Sequence, residues 1–333
     1  MRIGFEASTI EHREPSAEAC LEFAVERGLD GVQLPGPSAI DPGLDPSRLS
    51  AFRRRAGAMG LYLEVGLPSP NPCRRSREEG RAIDAAEHAR ALLPHVEAIA
   101  ALGCRHARAT VGDRHDRFRP DVPWPTQVAA SVDVLRRLSG PLRDLGVRVA
   151  IETHADLTCD ELLAMVDAVG PDAAGVTLDT GNLVMRLDEP IAAATRLAPL
   201  VLSAHVKDAV LAFTPRGLWW QARAVGSGIL PIPDLLGPLR RANPALNLSV
   251  ELHPRTYDLP IFDPAWLAFF PALRPEALAA IVRLAARCER RYVEGTLERP
   301  ETVEAVPWAD RDLDWLARSV GYLRRVVNML GRL

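Results

Sequence analysis

Apolar positions along the chain follow two rhythms. Short β-rich runs, several of them continuously apolar, recur every few tens of residues, as buried parallel strands should. Strands are expected at Arg2–Ala7, Gly31–Leu34, Leu61–Val65, Arg105–Ala109, Val147–Glu152, Gly175–Asp179, Val201–Val206 and Leu248–Leu252. Between them the period lengthens to 3.6. In Ser16–Arg27 the residues Ala17, Cys20, Leu21, Ala24 and Val25 fall on one stripe, the mark of a helix with one buried face. Ser47–Met59, Glu78–Leu102, Thr126–Leu145, Asp160–Val169 and Pro233–Arg241 read the same way. Gly28, Gly60, Gly103, Gly146 and Gly170 stand where the helices should end, the position that favours a left-handed residue.

Eight strands alternating with helices predict an α/β fold, a closed (β/α)8 TIM barrel, because crossover units share one hand and cover both faces of the sheet. The barrel is placed at residues 1–254. An open doubly wound sheet would want a glycine-rich phosphate loop after the first strand, and Gly4-Phe5-Glu6-Ala7 offers none. Residues 255–333 are expected to be a helical C-terminal extension, with helices at Pro275–Arg290 and Asp310–Leu330, packing on the barrel or on a partner in a homo-oligomer. The stretches Leu67–Arg77, Val111–Pro125 and Lys207–Pro231 are read as long loops after strands.

Composition narrows the class of partner. The 333 residues carry 40 basic and 43 acidic side chains, a net charge of −3, which gives no electrostatic case for nucleic acid. No apolar run reaches the ~18 residues a membrane span needs. The amino terminus shows no secretory pattern, and the five cysteines are scattered without Cys-x-x-Cys spacing. A cytoplasmic setting without disulfides is therefore expected. Lys207 is the single lysine; the other 39 basic residues are arginine.

In a barrel of this kind chemistry gathers at the carboxyl ends of the strands. The residues expected there are Glu6, Gln33, Glu64, Arg108, Glu152, Asp179, His205 and Glu251, all polar. Converging carboxylates repel one another in a partly dry site unless a cation joins them. Glu152, Asp179, His205 and Glu251 come from four successive strands at separations of 27, 26 and 46 residues. Three carboxylates and one imidazole suit one octahedral divalent ion, Mn2+ first and Mg2+ or Co2+ otherwise. A structural zinc site would lean on thiolates, which are missing from this set.

Four motifs now support a resemblance. Val149-Ala-Ile-Glu152-Thr-His154, Val176-Thr-Leu-Asp179-Thr-Gly-Asn182, Ala204-His205-Val-Lys207-Asp208 and Val250-Glu251-Leu-His253-Pro254 resemble the xylose-isomerase-like barrel superfamily, the sugar phosphate isomerase/epimerase group. The resemblance covers about Met1–Pro254. It implies that Glu152, Asp179, His205 and Glu251 hold a divalent metal, and that Glu152 and Glu251 also serve as acid and base. Three residues after the metal Asp the family's epimerases usually carry His, where this chain has Asn182. A neutral amide binds substrate but does not exchange protons near neutral pH, which leaves room for a lyase.

Lys207 follows His205 by two residues and points to the same side. It is a candidate catalytic group, as a compact charge or a proton donor, the plain alternative being a salt bridge with Asp208. Arg108 is a candidate clamp for a substrate carboxylate, or else a charge partner of Glu64 or Glu152. His154, Asn182, His253, Glu64 and Glu6 are candidate substrate contacts. Trp219-Trp220 is read as a lid or as packing, and Gly226-Ser-Gly228 as a flexible turn. The expected activity is metal-dependent isomerisation or epimerisation of a sugar or sugar-derived keto/hydroxy substrate through a stabilised enediolate. The alternative is a decarboxylase or dehydratase of an oxidised keto sugar acid, and further behind it a non-catalytic sugar-binding barrel.

Overall fold

The computed structural model describes residues 1–332. Eleven strands are found among them: β1 (Arg2–Glu6), β2 (Gly31–Leu34), β3 (Tyr62–Gly66), β4 (His106–Ala109), β5 (Arg148–Glu152), β6 (Ala174–Asp179), β7 (Val201–Val206), β8 (Asp208–Thr214), β9 (Gly217–Arg223), β10 (Asn247–Val250) and β11 (Thr256–Leu259). Eight of them close into a barrel in the order β1-β10-β7-β6-β5-β4-β3-β2. The pairings are parallel; Arg2 faces Asn247 and Phe5 faces Val250, and Gly31–Leu34 runs beside Tyr62–Val65. This is the expected (β/α)8 barrel, with each strand within two residues of its sequence boundary.

Two compact units make up the chain. One holds Met1–Arg13, Asp179–Pro199 and the residues from Ala204 onward; the other holds Glu14–Leu178 and Leu200–Ser203. In the second unit the core is the inner face of the strands and the apolar stripes of their helices, with Val32, Val65, Val134, Leu135 and Ile151 fully buried. Helix starts follow local chemistry. Ser16, Asp45, Asp84 and Thr158 each accept a backbone N–H of the first turn, and Thr158 forms a capping box with Glu161. The glycines expected at helix ends lie at positive φ, from 63° at Gly28 to 102° at Gly170.

Several readings of the sequence need correction, among them Leu67–Arg77, read as a loop, which becomes helical from Pro72. Glu78–Leu102 is not one helix: Pro72–Glu79 ends at left-handed Gly80, and Ala85–Ala101 begins anew behind Asp84. A further helix, Pro190–Leu197, goes beyond the sequence reading, although its buried positions Pro190, Ala193, Ala194 and Leu197 stand at helical spacing over its short length. Lys207–Pro231 is not a loop. It holds the antiparallel hairpin β8–β9, which β11 joins to complete a three-stranded sheet. The C-terminal segment thus opens with a strand before its helices Pro275–Val293 and Trp308–Leu330.

Those helices pack within their own unit. Tyr292 donates its hydroxyl to the Leu211 carbonyl, and Ser319 Oγ accepts from Val225 N. Asp312, its side chain buried, takes a two-pronged bond from Arg13 just after the first strand. No helix of the described residues is long and apolar enough to cross a membrane.

Candidate metal centre

The last residues of β5 and β6 are Glu152 and Asp179; His205 is the penultimate residue of β7, and Glu251 follows β10 by one position. Strand alternation carries side chains of this kind toward the barrel interior. One ligand atom from each of the four lies within 4.8 Å of the others, and all four residues are buried. The sequence expectation that these residues come together is met in that geometry.

Each is held by its surroundings. Asp179 turns Oδ1 back to accept Gly181 N at 2.8 Å and Asn182 N at 3.2 Å, which leaves Oδ2 facing the Lys207 ammonium at 3.0 Å. Glu251 Oε1 lies 3.1 Å from Lys207 Nζ, and Oε2 lies 2.7 Å from His205 Nδ1. Glu152 Oε2 accepts from Arg108 at 2.6 Å. Burial pushes the Glu251 carboxyl up, but Lys207 and then His205 outweigh it and hold the group well below the usual carboxylate range.

Lys207 is only 1% exposed. Its Nζ also lies 2.9 Å from His253 Nε2. Burial, reinforced by that ammonium, pulls the His253 imidazole down to about 4. The ring is therefore neutral near pH 7, and its Nε2 also lies 3.3 Å from Glu251 Oε1. The backbone of Lys207 is pinned as well: Thr180 Oγ1 donates to its carbonyl at 2.6 Å and accepts its N–H at 2.9 Å.

These residues fit a divalent cation. Arg108 and Lys207 offset two of the three negative charges of the cluster. Glu251 Oε2 and His205 Nδ1, 2.7 Å apart, are both buried and face each other. A buried carboxylate oxygen in that state is a ligand position by chemistry.

The other candidates fall around this group in different ways. Arg108 is the partner of Glu152, the alternative already weighed from sequence. Glu64 accepts from Gln33 Nε2 at 3.3 Å and lies 3.3 Å from His106 Nε2, a neighbour the sequence did not single out. Glu6 Oε2 accepts Ser8 N at 2.8 Å and also the Ser8 hydroxyl. His154 Nδ1 is 3.9 Å from Asp156 Oδ1. The chain neighbour of Lys207, Asp208, is not its salt-bridge partner. Its carboxylate accepts the backbone N–H groups of Ala209, Gly226, Gly228 and Leu230 at 2.8–3.1 Å. The turn Gly226-Ser-Gly228 thus wraps a carboxylate of its own chain. A Cβ on Gly228 would lie 2.2 Å from Asp208 Oδ1, so only glycine lets the turn approach. Trp220, fully buried, donates Nε1–H to the Gly181 carbonyl at 3.2 Å; it packs rather than lying open as a lid.

A closed parallel barrel with a buried carboxylate–imidazole group at its strand ends defines a TIM barrel with a candidate metal centre. The chain belongs to the xylose isomerase-like TIM barrel family, whose model matches residues 21–289. It is 27% identical over 237 residues to the 3-oxo-isoapionate decarboxylase of Pectobacterium atrosepticum, covering 70% of this chain and 76% of that one. It is 32% identical over 221 residues to the uncharacterized protein YihM of Escherichia coli, covering 65% of this chain and 60% of that protein's length. In fold it resembles the D-psicose 3-epimerase of Clostridium cellulolyticum H10, at a TM-score of 0.61 and 15% identity, over 86% of this chain and 99% of that one.

Proposed function

We propose that the chain is a divalent-metal-dependent enzyme acting on a small carbohydrate-derived keto acid through an enediolate, with loss of CO2 as the outcome. The observation that carries this reading is the buried group Glu152, Asp179, His205 and Glu251. With Arg108 and Lys207 already offsetting two of its charges, a bound dication leaves the group net positive, which suits an anionic substrate. The likeness to a decarboxylase over 70% of the chain supports a lyase outcome. Three oxygen donors and one nitrogen suit Mn2+ first, ahead of Mg2+ or Co2+.

When bound, the ion would supply Lewis acidity to adjacent hydroxyl and carbonyl oxygens. Glu152, Asp179, His205 and Glu251 would hold it, and Arg108 fixes the orientation of Glu152. The bond between the carboxyl carbon and its neighbour breaks, CO2 leaves, and the electron pair passes into the ketone to give the enediolate. A proton then returns to the carbon. We route it through Glu251 Oε1, with Lys207 Nζ, 3.1 Å away, as the group that supplies it. His154 and Asn182 are assigned to substrate hydroxyls, together with Glu6 and Glu64. His253 keeps Lys207 in place.

A second reading, isomerisation or epimerisation of a ketose, is favoured by one observation: Glu152 and Glu251 reach the same group from different strands, as proton exchange on two faces requires. Incubation in D2O with β-keto sugar acids and with ketoses, followed by NMR, separates the two. CO2 release with one deuterium at the former α-carbon supports the lyase. C–H exchange without loss of mass supports the epimerase, and no turnover of either class overturns both.

A further inference from the structure

A second charged site lies away from the strand-end carboxylates, among the end of β9, the Gly226–Gly228 turn and the C-terminal helices. A cavity of about 260 Å3 opens there, lined by three guanidinium groups, those of Arg223, Arg291 and Arg318. The carboxylate on its lining is that of the exposed Glu298. Arginines packed this closely normally meet carboxylates, because like charges in a partly dry space repel.

Arg223 and Arg291 instead spend their donors on neutral acceptors. Arg223 NH2 donates to the Glu298 carbonyl at 2.8 Å, and Arg291 donates to the carbonyls of Gly228 and Thr296 at 3.1 and 3.2 Å. Arg318 NH2 donates to Ser227 Oγ at 2.8 Å, and its NH1 approaches exposed Asp314 at 3.5 Å. Among the described residues neither Arg223 nor Arg291 has a carboxylate within ion-pair distance. Arg223 is 3% exposed, and its Nε–H has no acceptor. Burial pulls its guanidinium below the ordinary range against the opposing effect of Tyr292 and the Glu298 carboxylate, and Arg311, over the Trp315 ring at 4.8 Å, adds to the pull. An anion among these guanidinium groups would offset their mutual repulsion and the cost of burying the Arg223 charge.

We propose that this cavity is an oxyanion site, built for the phosphoryl group of a small metabolite or for free phosphate. Its volume admits a phosphate with a short ester arm. The site stands independently of the reading of the metal centre. It is joined to that centre by covalent structure: Ser227, which Arg318 contacts, sits between the two glycines whose N–H groups hold Asp208, and Asp208 follows Lys207.

Isothermal titration of the full chain with inorganic phosphate and with glycerol 3-phosphate tests the proposal, with Arg318→Gln, Arg291→Gln and, as a control, Glu251→Gln. Saturable binding of either anion is expected, weakened roughly tenfold or more in each arginine variant. It should be unchanged in Glu251→Gln, which would lose phosphate if the anion sat on a bound metal instead. Tighter binding of the ester than of phosphate identifies a phosphorylated metabolite as the source, and the reverse order identifies phosphate. Circular dichroism confirms that the exposed Arg318 variant is folded. No saturable heat with either anion, or affinity equal in wild type and the arginine variants, overturns the proposal.

Discussion

Lys207 and Asp208 are neighbours in the chain, yet their side chains serve different partners: the ammonium reaches Asp179 and Glu251, while the carboxylate gathers four backbone N–H groups of the following 22 residues. One dipeptide thus ties the carboxylate group of the barrel to the β-hairpin that follows it.

If the cluster takes up a dication, the purified chain should carry or recruit one divalent ion per molecule. Glu152→Gln and Asp179→Asn should each lower that occupancy sharply in metal analysis by mass spectrometry. An ion at about a hundredfold excess over its Kd should also add about 3 kcal/mol of stability, read as a rise in Tm reversed by chelator.

Lys207→Met leaves Asp179 and Glu251 facing each other without their cation. Removing one partner of a buried ion pair costs about 3–5 kcal/mol. The loss in Tm should be large in chelator and smaller with saturating Mn2+, because the ion restores the missing charge. An equal loss in both conditions would show that Lys207 acts independently of the ion. Lys207→Arg should not rescue turnover, since a planar guanidinium cannot sit among Asp179, Glu251 and His253 in the same geometry.

Burial raises the Asp208 carboxyl to about 6, against the lowering effect of its N–H bonds from Gly228, Leu230, Ala209 and Gly226. A raised folded-state value means that the native chain binds the proton more tightly than the unfolded chain. The resulting stability is fully present below about pH 4 and is lost as pH rises through about 6, a change of about 3 kcal/mol. Chemical denaturation from pH 4 to 7 should show this fall in wild type, and a flatter profile in Asp208→Asn.

Trp220→Phe keeps one aromatic ring, deletes the N–H bond to the Gly181 carbonyl and leaves that acceptor buried beside the space of the missing ring. A stability loss of about 1–3 kcal/mol is expected. Gly181 donates to Asp179 Oδ1, so turnover should fall while ion occupancy stays near that of wild type, as activity and metal assays on the same sample will reveal.

The barrel was legible in the sequence because short runs apolar on both faces, such as Val149-Ala-Ile151, recur at the βα interval, while in Ala174–Asp179 and Val201–Val206 apolar residues alternate with Thr177, Asp179, Ser203 and His205. The spacing of Glu152, Asp179 and His205 was equally legible, since one β–α repeat separates each from the next. The β8–β9 hairpin was missed for a physical reason. Its strands are also apolar on both sides, but they fall between two barrel strands, where the expected βα rhythm makes the segment look like an insertion. Its signal is the turn Thr214-Pro-Arg-Gly217 flanked by Ala209–Phe213 and Leu218–Ala222. The partnership of Lys207 with His253 had no such signal, because it joins residues 46 apart in the chain through tertiary packing alone.

The pairing of β1 with β10 carries a cost in time. Arg2 finds its ladder partner only when Asn247 has been made. At about 5–20 residues per second of synthesis, the first strand waits roughly 12–50 s with one edge open. During that wait Ile3 and Phe5 are exposed to other nascent chains, so the yield of this barrel in a cell should depend on chaperone supply and translation speed as much as on its final stability.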